Sequence, residues 1–257
     1  MNIYDIKQIN DYTYYINDTD FCTSYLLIGK DKAILIDTGL PSTPSLIDEV
    51  RKITNKEIIV LITHGHFDHI GHLNEFDTFY INEDDLNLIN DLDIKNKAKL
   101  LKDNQLFDFT NFKLRVYFNK GHTLGSSIFI DQTSKILYTG DQYGSGCGVW
   151  MQVPTATNIS TYLNSIRKFK QYLKDNYKDY LDFIFYPGHL GQEHTSLLNR
   201  YNPLNHSMLD DYEVLCKKLL NNEIEFKNTL AKCFNNEKSY YVCYNNAEMI
   251  IRKSLIK

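Results

Sequence analysis

The sequence predicts an α/β fold, and three features carry that expectation. Short apolar, β-branched runs recur, the clearest at residues 58–63 (I-I-V-L-I-T), and runs of that length read as buried strands. Stretches with one apolar stripe at helical spacing lie between them, at residues 46–53 and 160–174. A cluster of metal-binding side chains, T-H-G-H-F-D-H-I-G-H at residues 63–72, follows directly on the 58–63 run. Open α/β sheets place their ligands there, in the crevice beyond the carboxyl ends of the strands.

Taken in order, residues 12–16 and 21–28 predict antiparallel strands joined by a polar N-D-T-D turn, and residues 33–36 a buried strand running into Asp37. Two prolines make residues 41–44 a break. Ser45 is a candidate N-cap for a helix whose apolar face is Leu46, Ile47, Val50 and Ile53. Residues 70–72 predict the start of a short helix, 78–81 a strand and 83–90 a helix start. The highly polar stretch 91–105 predicts a solvated connector. Residues 112–118 alternate as a half-exposed strand does, and 127–130 with 136–138 predict a hairpin. Three glycines within residues 144–148 imply a sharply turned backbone beside Asp141. Tyr162, Leu163, Ile166, Phe169, Tyr172 and Leu173 stripe the next helix. A buried strand at 183–186 follows, then helical segments near 196–202 and 206–221, an edge strand at 240–244 and a short helix at 249–251. No repeat or linker interrupts the pattern, so residues 1–257 are expected to form one domain.

Composition narrows the function classes. The chain is 43% hydrophobic and 23% charged, with a net charge of −4, which argues against a broad basic surface for nucleic acid. No run approaches the roughly 18 apolar residues of a membrane helix. The first residues lack a basic region followed by an apolar one, so no secretory signal is expected. The five cysteines are odd in number, widely spaced and without a C-x-x-C pair, which predicts reduced thiols in a cytoplasmic protein. Cys147 is reactive only if exposed and electropositively placed. Oligomeric state is not legible.

The cluster itself has chemical content. In an extended segment, positions i and i+2 face the same way, so His64 and His66 can share one cation. Asp68 and His69 lie past the turn and suit a second. Imidazole with carboxylate is a donor set for zinc and, with open positions, for iron or manganese. His72 is expected to support the ligands from behind or to lie at the surface, and His194 and His206 to be structural or surface residues.

The pattern His64-x-His66-x-Asp68-His69 resembles the signature of the metallo-β-lactamase superfamily, and four further motifs follow in that family's order. Ile36-Asp37-Thr38-Gly39 is similar to its early strand end. Gly121-His122-Thr123-Leu124-Gly125-Ser126 is similar to its third-histidine motif, in the form of glyoxalase II-like enzymes. Leu137-Tyr138-Thr139-Gly140-Asp141 and Tyr186-Pro187-Gly188-His189 complete it. The resemblance spans roughly residues 20–195 and implies an αββα four-layer sandwich. It implies that His64, His66 and His122 hold one divalent cation and Asp68, His69 and His189 a second, with Asp141 between them. Two zinc ions are the first expectation, iron or manganese the alternatives. Asp37 would orient ligands. Tyr143 and Trp150 are candidate walls of a pocket for a small-molecule substrate, Trp150 being equally suited to pinning its loop to the core.

The implied activity is hydrolysis of a thioester, ester or lactone by a hydroxide held between two cations, with Asp68 taking and returning a proton. Phosphodiester hydrolysis on the same cations and mono-iron oxidation of a persulfide are the alternatives. True β-lactamases usually carry Cys or Ser where Asp141 stands, which weighs against antibiotic hydrolysis. The glutathione-binding residues of glyoxalase II are not identifiable in residues 206–257.

Overall fold

The β-branched runs find their partners in two sheets packed face to face. The computed structural model describes residues 3–144, 148–192 and 205–257. The first sheet has seven strands in sequence order: β1 (Asp5–Gln8), β2 (Thr13–Asn17), β3 (Thr23–Ile28), β4 (Lys32–Ile36), β5 (Glu57–Leu61), β6 (Phe79–Ile81) and β7 (Ala98–Leu100). β1 to β4 are antiparallel neighbours, and β4 to β7 run parallel. The second sheet holds β8 (Leu106–Asp108), β9 (Lys113–Phe118), β10 (Ser127–Asp131) and β11 (Ile136–Gly140). Its other edge is β13 (Ile184–Pro187), parallel to β11. A smaller third sheet is built from β12 (Val149–Trp150), β14 (Lys227–Asn228), β15 (Ser239–Tyr244) and β16 (Ala247–Arg252).

Strand alternation sorts the side chains into layers. Ile34 and Ile36 of β4 face the second sheet, where they meet the cluster of Leu114, Val116, Phe129 and Tyr138. Ala33 and Leu35 face the other way, toward Leu46 and Val50 of helix α1 (Leu46–Ile53). The second sheet does the same. Phe129 points between the sheets, while Ile128 and Ile130 pack under helices α3 (Ile159–Asn176) and α4 (His206–Leu220). A strand buried on both faces reads as a continuous apolar run, as these do. The order is therefore helix, sheet, sheet, helices. No helix among the described residues is long and apolar enough to cross a membrane.

Some expectations fail. The strand at 240–244 is not an edge, because β15 pairs with β14 on one side and β16 on the other. Residues 91–105 are more than a connector: Asp91 caps a single turn, α2 (Leu92–Lys95), and β7 then adds an edge strand. Its Lys99 and Leu100 are exposed, so the strand lacks the apolar alternation that would announce it. Residues 249–251 lie in β16 and are not helical. That strand is buried on both faces, and a short apolar run of this kind has no period to distinguish it from a helix. The segment 196–202, His194 and Cys147 lie outside the described residues. His206 begins α4, with Asn205 accepting from Ser207 N at 3.0 Å as its cap.

Glu213 fastens α4 to α3. Its carboxylate accepts from Lys170 Nζ at 2.6 Å and Arg167 Nε at 3.1 Å across the interface, and meets Lys217 Nζ at 2.7 Å. Burial would raise this carboxyl, but the three cations outweigh it and hold it down to about 2. The unfolded value is roughly 4.3. The stabilisation is therefore whole above that value and is lost as the pH falls through the folded one. Glu213→Gln is expected to cost about 1 kcal/mol at pH 7. In urea titrations at a series of pH values, the difference from wild type should shrink steadily below about pH 4.

Candidate metal centre

Five chain segments deliver side chains to one end of the paired sheets. β4 ends at Asp37, β5 runs into His64–His69, and the β9–β10 connection carries His122. β11 ends just before Asp141 and β13 just before His189. Backbone bonds tie these ends together: Asp37 N donates to Leu61 O at 2.9 Å, Ser127 N to Thr63 O at 2.8 Å and Gly188 N to Gly140 O at 3.0 Å. Gly188 is required by close approach, because a Cβ there would overlap Asp141 Oδ1 and the His69 ring.

The seven side chains anticipated as ligands converge into overlapping groups. The ring nitrogens of His64, His66 and His122 form one, with His66 Nδ1 and His122 Nε2 at 2.9 Å. His64, His69 and Asp141 form another. Asp141 faces three imidazoles, at 3.5 Å from His69 Nε2, 3.7 Å from His122 Nε2 and 3.4 Å from His189 Nε2. Asp68 Oδ2 lies 3.4 Å from His189 Nε2 and 4.0 Å from His69 Nε2.

The neighbours of these rings fix which nitrogen faces inward. Asp37 Oδ2 lies 2.8 Å from His69 Nδ1 and can only accept, so Nδ1 carries hydrogen and Nε2 faces the centre. The same carboxylate accepts from Thr63 N and Thr63 Oγ1, both at 2.7 Å. With its hydrogen committed to Asp37, Thr63 Oγ1 accepts from His64 Nδ1 at 3.1 Å. The backbone carbonyl of Trp150 likewise accepts from His122 Nδ1 at 3.0 Å. Asp37 itself sits at φ 59°, a left-handed position that carries its carboxylate back over Thr63.

This donor set suits divalent cations. His64 Nε2, His69 Nε2 and Asp141 Oδ1 are buried without a hydrogen-bond partner, an expensive arrangement unless a cation joins them. Burial, with the neighbouring rings, holds His64 well below its usual value and His122 down to about 3, and burial also lowers His66. All three are thus neutral, the form that ligates. On the other side burial is outweighed. Asp141, Asp68 and Asp37 hold His69 up to about 9, and Asp141 and Asp68 raise His189 far above its ordinary range. These carboxylates draw positive charge to this place, and a bound dication would supply it in place of imidazole protons.

Two placements depart from expectation. Tyr143 does not border the site: it is wholly buried in the core with α3, and its hydroxyl accepts from Asn119 Nδ2 at 2.8 Å. His72 is buried away from the cluster, between Thr43 Oγ1 at 2.9 Å and Glu75 Oε1 at 3.1 Å. Two contributors went unanticipated. Asp85, 1% exposed, accepts from Gly65 N at 2.9 Å, Gly125 N at 2.8 Å and Thr123 Oγ1 at 2.6 Å, joining the first histidine motif to the third. Cys22 lies beside Asp68 and His189.

The centre opens into a cavity of about 540 Å³. Its floor includes His66, Asp68, His122, Asp141 and His189, and its walls are Leu40, Phe67, Trp150, Val153, Pro154 and Phe234. Phe67 is 67% and Trp150 40% exposed. Thr155 at the rim holds His66 Nε2 at 2.7 Å. No lysine or arginine lines this cavity among the described residues.

Comparison with known proteins agrees with the fold. A family model described as the metallo-beta-lactamase superfamily matches residues 17–189. A hydroxyacylglutathione hydrolase of Pelagibacter ubique is 30% identical over 158 residues, which are 57% of this chain and 60% of that protein. A lactamase-like protein, nscB, of Arthroderma gypseum is 30% identical over 158 residues, 56% of this chain and 45% of that one. The chain thus matches less than two thirds of either relative's length. A metallo-beta-lactamase from Pontibacter korlensis superposes with a TM-score of 0.61 at 17% identity, covering 83% of this chain and 99% of that one. An archaeal metallo-beta-lactamase superfamily protein from Sulfolobus tokodaii gives 0.55 at 17% identity, covering 83% and 86%.

Proposed function

Since this chain belongs to the metallo-beta-lactamase superfamily, we propose that it is a metal-dependent hydrolase that holds two divalent cations, zinc first, and cleaves a thioester, ester or lactone with an apolar acyl group. The observation that carries this is the convergence of seven ligand-type side chains, three of whose rings, those of His69, His64 and His122, are oriented by Asp37, Thr63 and the Trp150 carbonyl. His64, His66 and His122 would hold one cation, Asp68, His69 and His189 the other, and Asp141 would face both. Cations bound there would lower the pKa of water and polarise the substrate carbonyl.

The chain's own residues do the rest. Asp68 sits at the cavity floor, and although burial opposes ionisation, His69 and His189 hold its carboxyl below the usual range. It is placed to take a proton from the attacking water and return it to the leaving thiolate or alkoxide, so that an acid and a thiol or alcohol depart. The ligand backbone is held from behind by Asp37 and Asp85, which keeps the reacting geometry fixed. The apolar walls exclude water and match an acyl chain. An anionic phosphodiester finds no side-chain cation among the described lining residues, which favours the carbonyl reading. The second group of Asp68, His69 and His189 favours two cations over the single iron of a persulfide oxygenase.

The test combines loading with turnover. Protein purified without chelator is expected to carry about two zinc ions per chain by mass spectrometry. Returning zinc to chelated protein at 100 times the dissociation constant should stabilise it by about 2.7 kcal/mol. That corresponds to roughly 5–10 °C in Tm. The substrate panel is a series of acyl-homoserine lactones and aryl esters of rising chain length, a glutathione thioester, a nitrophenyl phosphodiester and a β-lactam. Turnover that rises with acyl length supports the reading. Cleavage of the phosphodiester or the β-lactam alone would replace it, and one iron with no hydrolysis would discard it.

A further inference from the structure

The Cys22 thiol occupies a place that a free structural thiol has no reason to hold. Its sulfur, a carboxylate oxygen of Asp68 and a ring nitrogen of His189 form a group whose ligand atoms all lie within 4.8 Å of one another. Cys22 is 4% exposed, yet it lines the floor of the cavity. A second observation points to a ligand in the same space: His69 Nε2, on a residue 1% exposed, has no hydrogen-bond partner and lies 4.0 Å from Asp68 Oδ2.

The local backbone is built to put the sulfur there. Asp18 Oδ1 accepts from Cys22 N at 2.8 Å and from Asp20 N at 2.9 Å, closing the β2–β3 turn around its own carboxylate. Phe21 takes φ 63°, a left-handed position uncommon for a bulky residue, and leaves its ring 40% exposed. That turn sends Cys22 inward at the cost of an unfavourable phenylalanine. The turn is then cross-braced to the segment carrying His189. Thr23 N donates to Gly188 O at 2.8 Å, Leu190 N donates to Thr23 Oγ1 at 2.8 Å, and Asn17 Nδ2 donates to Leu190 O at 2.5 Å. Cys22 and His189 are thereby held as one unit, the preorganisation a ligand pair needs.

We propose that Cys22 is a thiolate ligand of the second cation position, which then adds a sulfur to Asp68, His69 and His189 and is biased toward zinc. Coordination forms the sulfur–metal bond and releases the thiol proton to solvent. A soft thiolate favours zinc over the manganese that an all-oxygen-and-nitrogen set would accept. The first position, with three imidazoles, carries no such bias. This rests on the two-cation reading above, and the experiment separates the two.

Chelated full-length protein would be reloaded with two equivalents of cobalt(II) and its spectrum recorded. Wild type is expected to show a near-ultraviolet thiolate-to-cobalt charge-transfer band beside the visible cobalt bands. Cys22→Ser should lose that band entirely while keeping visible cobalt absorption, and Cys147→Ser and Cys243→Ser should keep it. Two bound cobalt ions with no such band in wild type, or a band that survives in Cys22→Ser, would overturn the Cys22 assignment and leave the two-cation reading standing. Failure to bind cobalt at all would overturn both. Should Cys22→Ser fail to fold, X-ray absorption of zinc-loaded Cys147→Ser decides. A sulfur shell at about 2.3 Å supports the proposal, and a shell of only nitrogen and oxygen at about 2.0–2.2 Å refutes it.

Discussion

Replacing Asp141 with alanine is expected to reduce bound zinc from about two ions to one or fewer and to cut turnover by roughly 10²–10⁴-fold. The second figure corresponds to losing several kcal/mol of transition-state stabilisation. Among the described residues, Asp141 is the one carboxylate within 3.7 Å of rings from both groups of proposed ligands, since it faces His122 as well as His69 and His189. Its carboxyl lies well below the usual range, because His189 and His69 outweigh the burial that opposes ionisation. Without it, the rings around the vacated place are deprived of their counter-charge. Asp141→Asn separates shape from charge. It keeps an acceptor oxygen and the side-chain volume, so a loss nearly as large as that of alanine would identify charge as the requirement. Full zinc content and full turnover in Asp141→Ala, measured by mass spectrometry and steady-state kinetics on one sample, would remove Asp141 from the proposed centre.

The motif residues were legible because ligand chemistry and chain direction coincide there. His64, His66, Asp68 and His69 sit within six positions after a strand, and Asp141 and His189 also follow strand ends. What sequence hid is what depends on partners far along the chain. Asp84 and Asp85 are adjacent carboxylates in one short turn. Asp84 pairs with Lys120 at the surface at 3.0 Å, while Asp85 is buried against Gly65 and Gly125. Nothing local separates them. Tyr143 fails for a related reason. Nearness to Asp141 along the chain suggested a pocket wall, but the backbone turns at Gly140, φ 49°, and Tyr143 is delivered to the opposite layer. Cys22 looked like an ordinary reduced thiol because its neighbours in the site, Asp68 and His189, lie 46 and 167 residues away.

Asp85 gives the sharpest test of that hidden layer. One carboxylate serves three donors from two motifs, Gly65 N, Gly125 N and Thr123 Oγ1. Alanine would leave those donors buried and unpaired, and each orphaned group costs about 1–3 kcal/mol. Even with partial relaxation, Asp85→Ala should lower stability by about 3–5 kcal/mol in urea titrations of the chelated protein. The second effect is on the centre. Gly65 lies between His64 and His66, and Thr123 follows His122, so the same bonds hold all three imidazoles of one group in register. Loss of a support of this kind typically weakens metal binding by about 10–100-fold. Zinc titration against a competing chelator reads that term separately from folding, because it is done where the variant is still folded. Asp85→Asn should fall between, since its oxygen can accept from one motif while its amide hydrogens oppose donors of the other. If Asp85→Ala were destabilised yet bound zinc as tightly as wild type, the carboxylate would brace the loops without setting the ligands. If binding weakened alongside stability, the register of the three histidines would be traced to a residue that holds their segments through Gly65, Thr123 and Gly125.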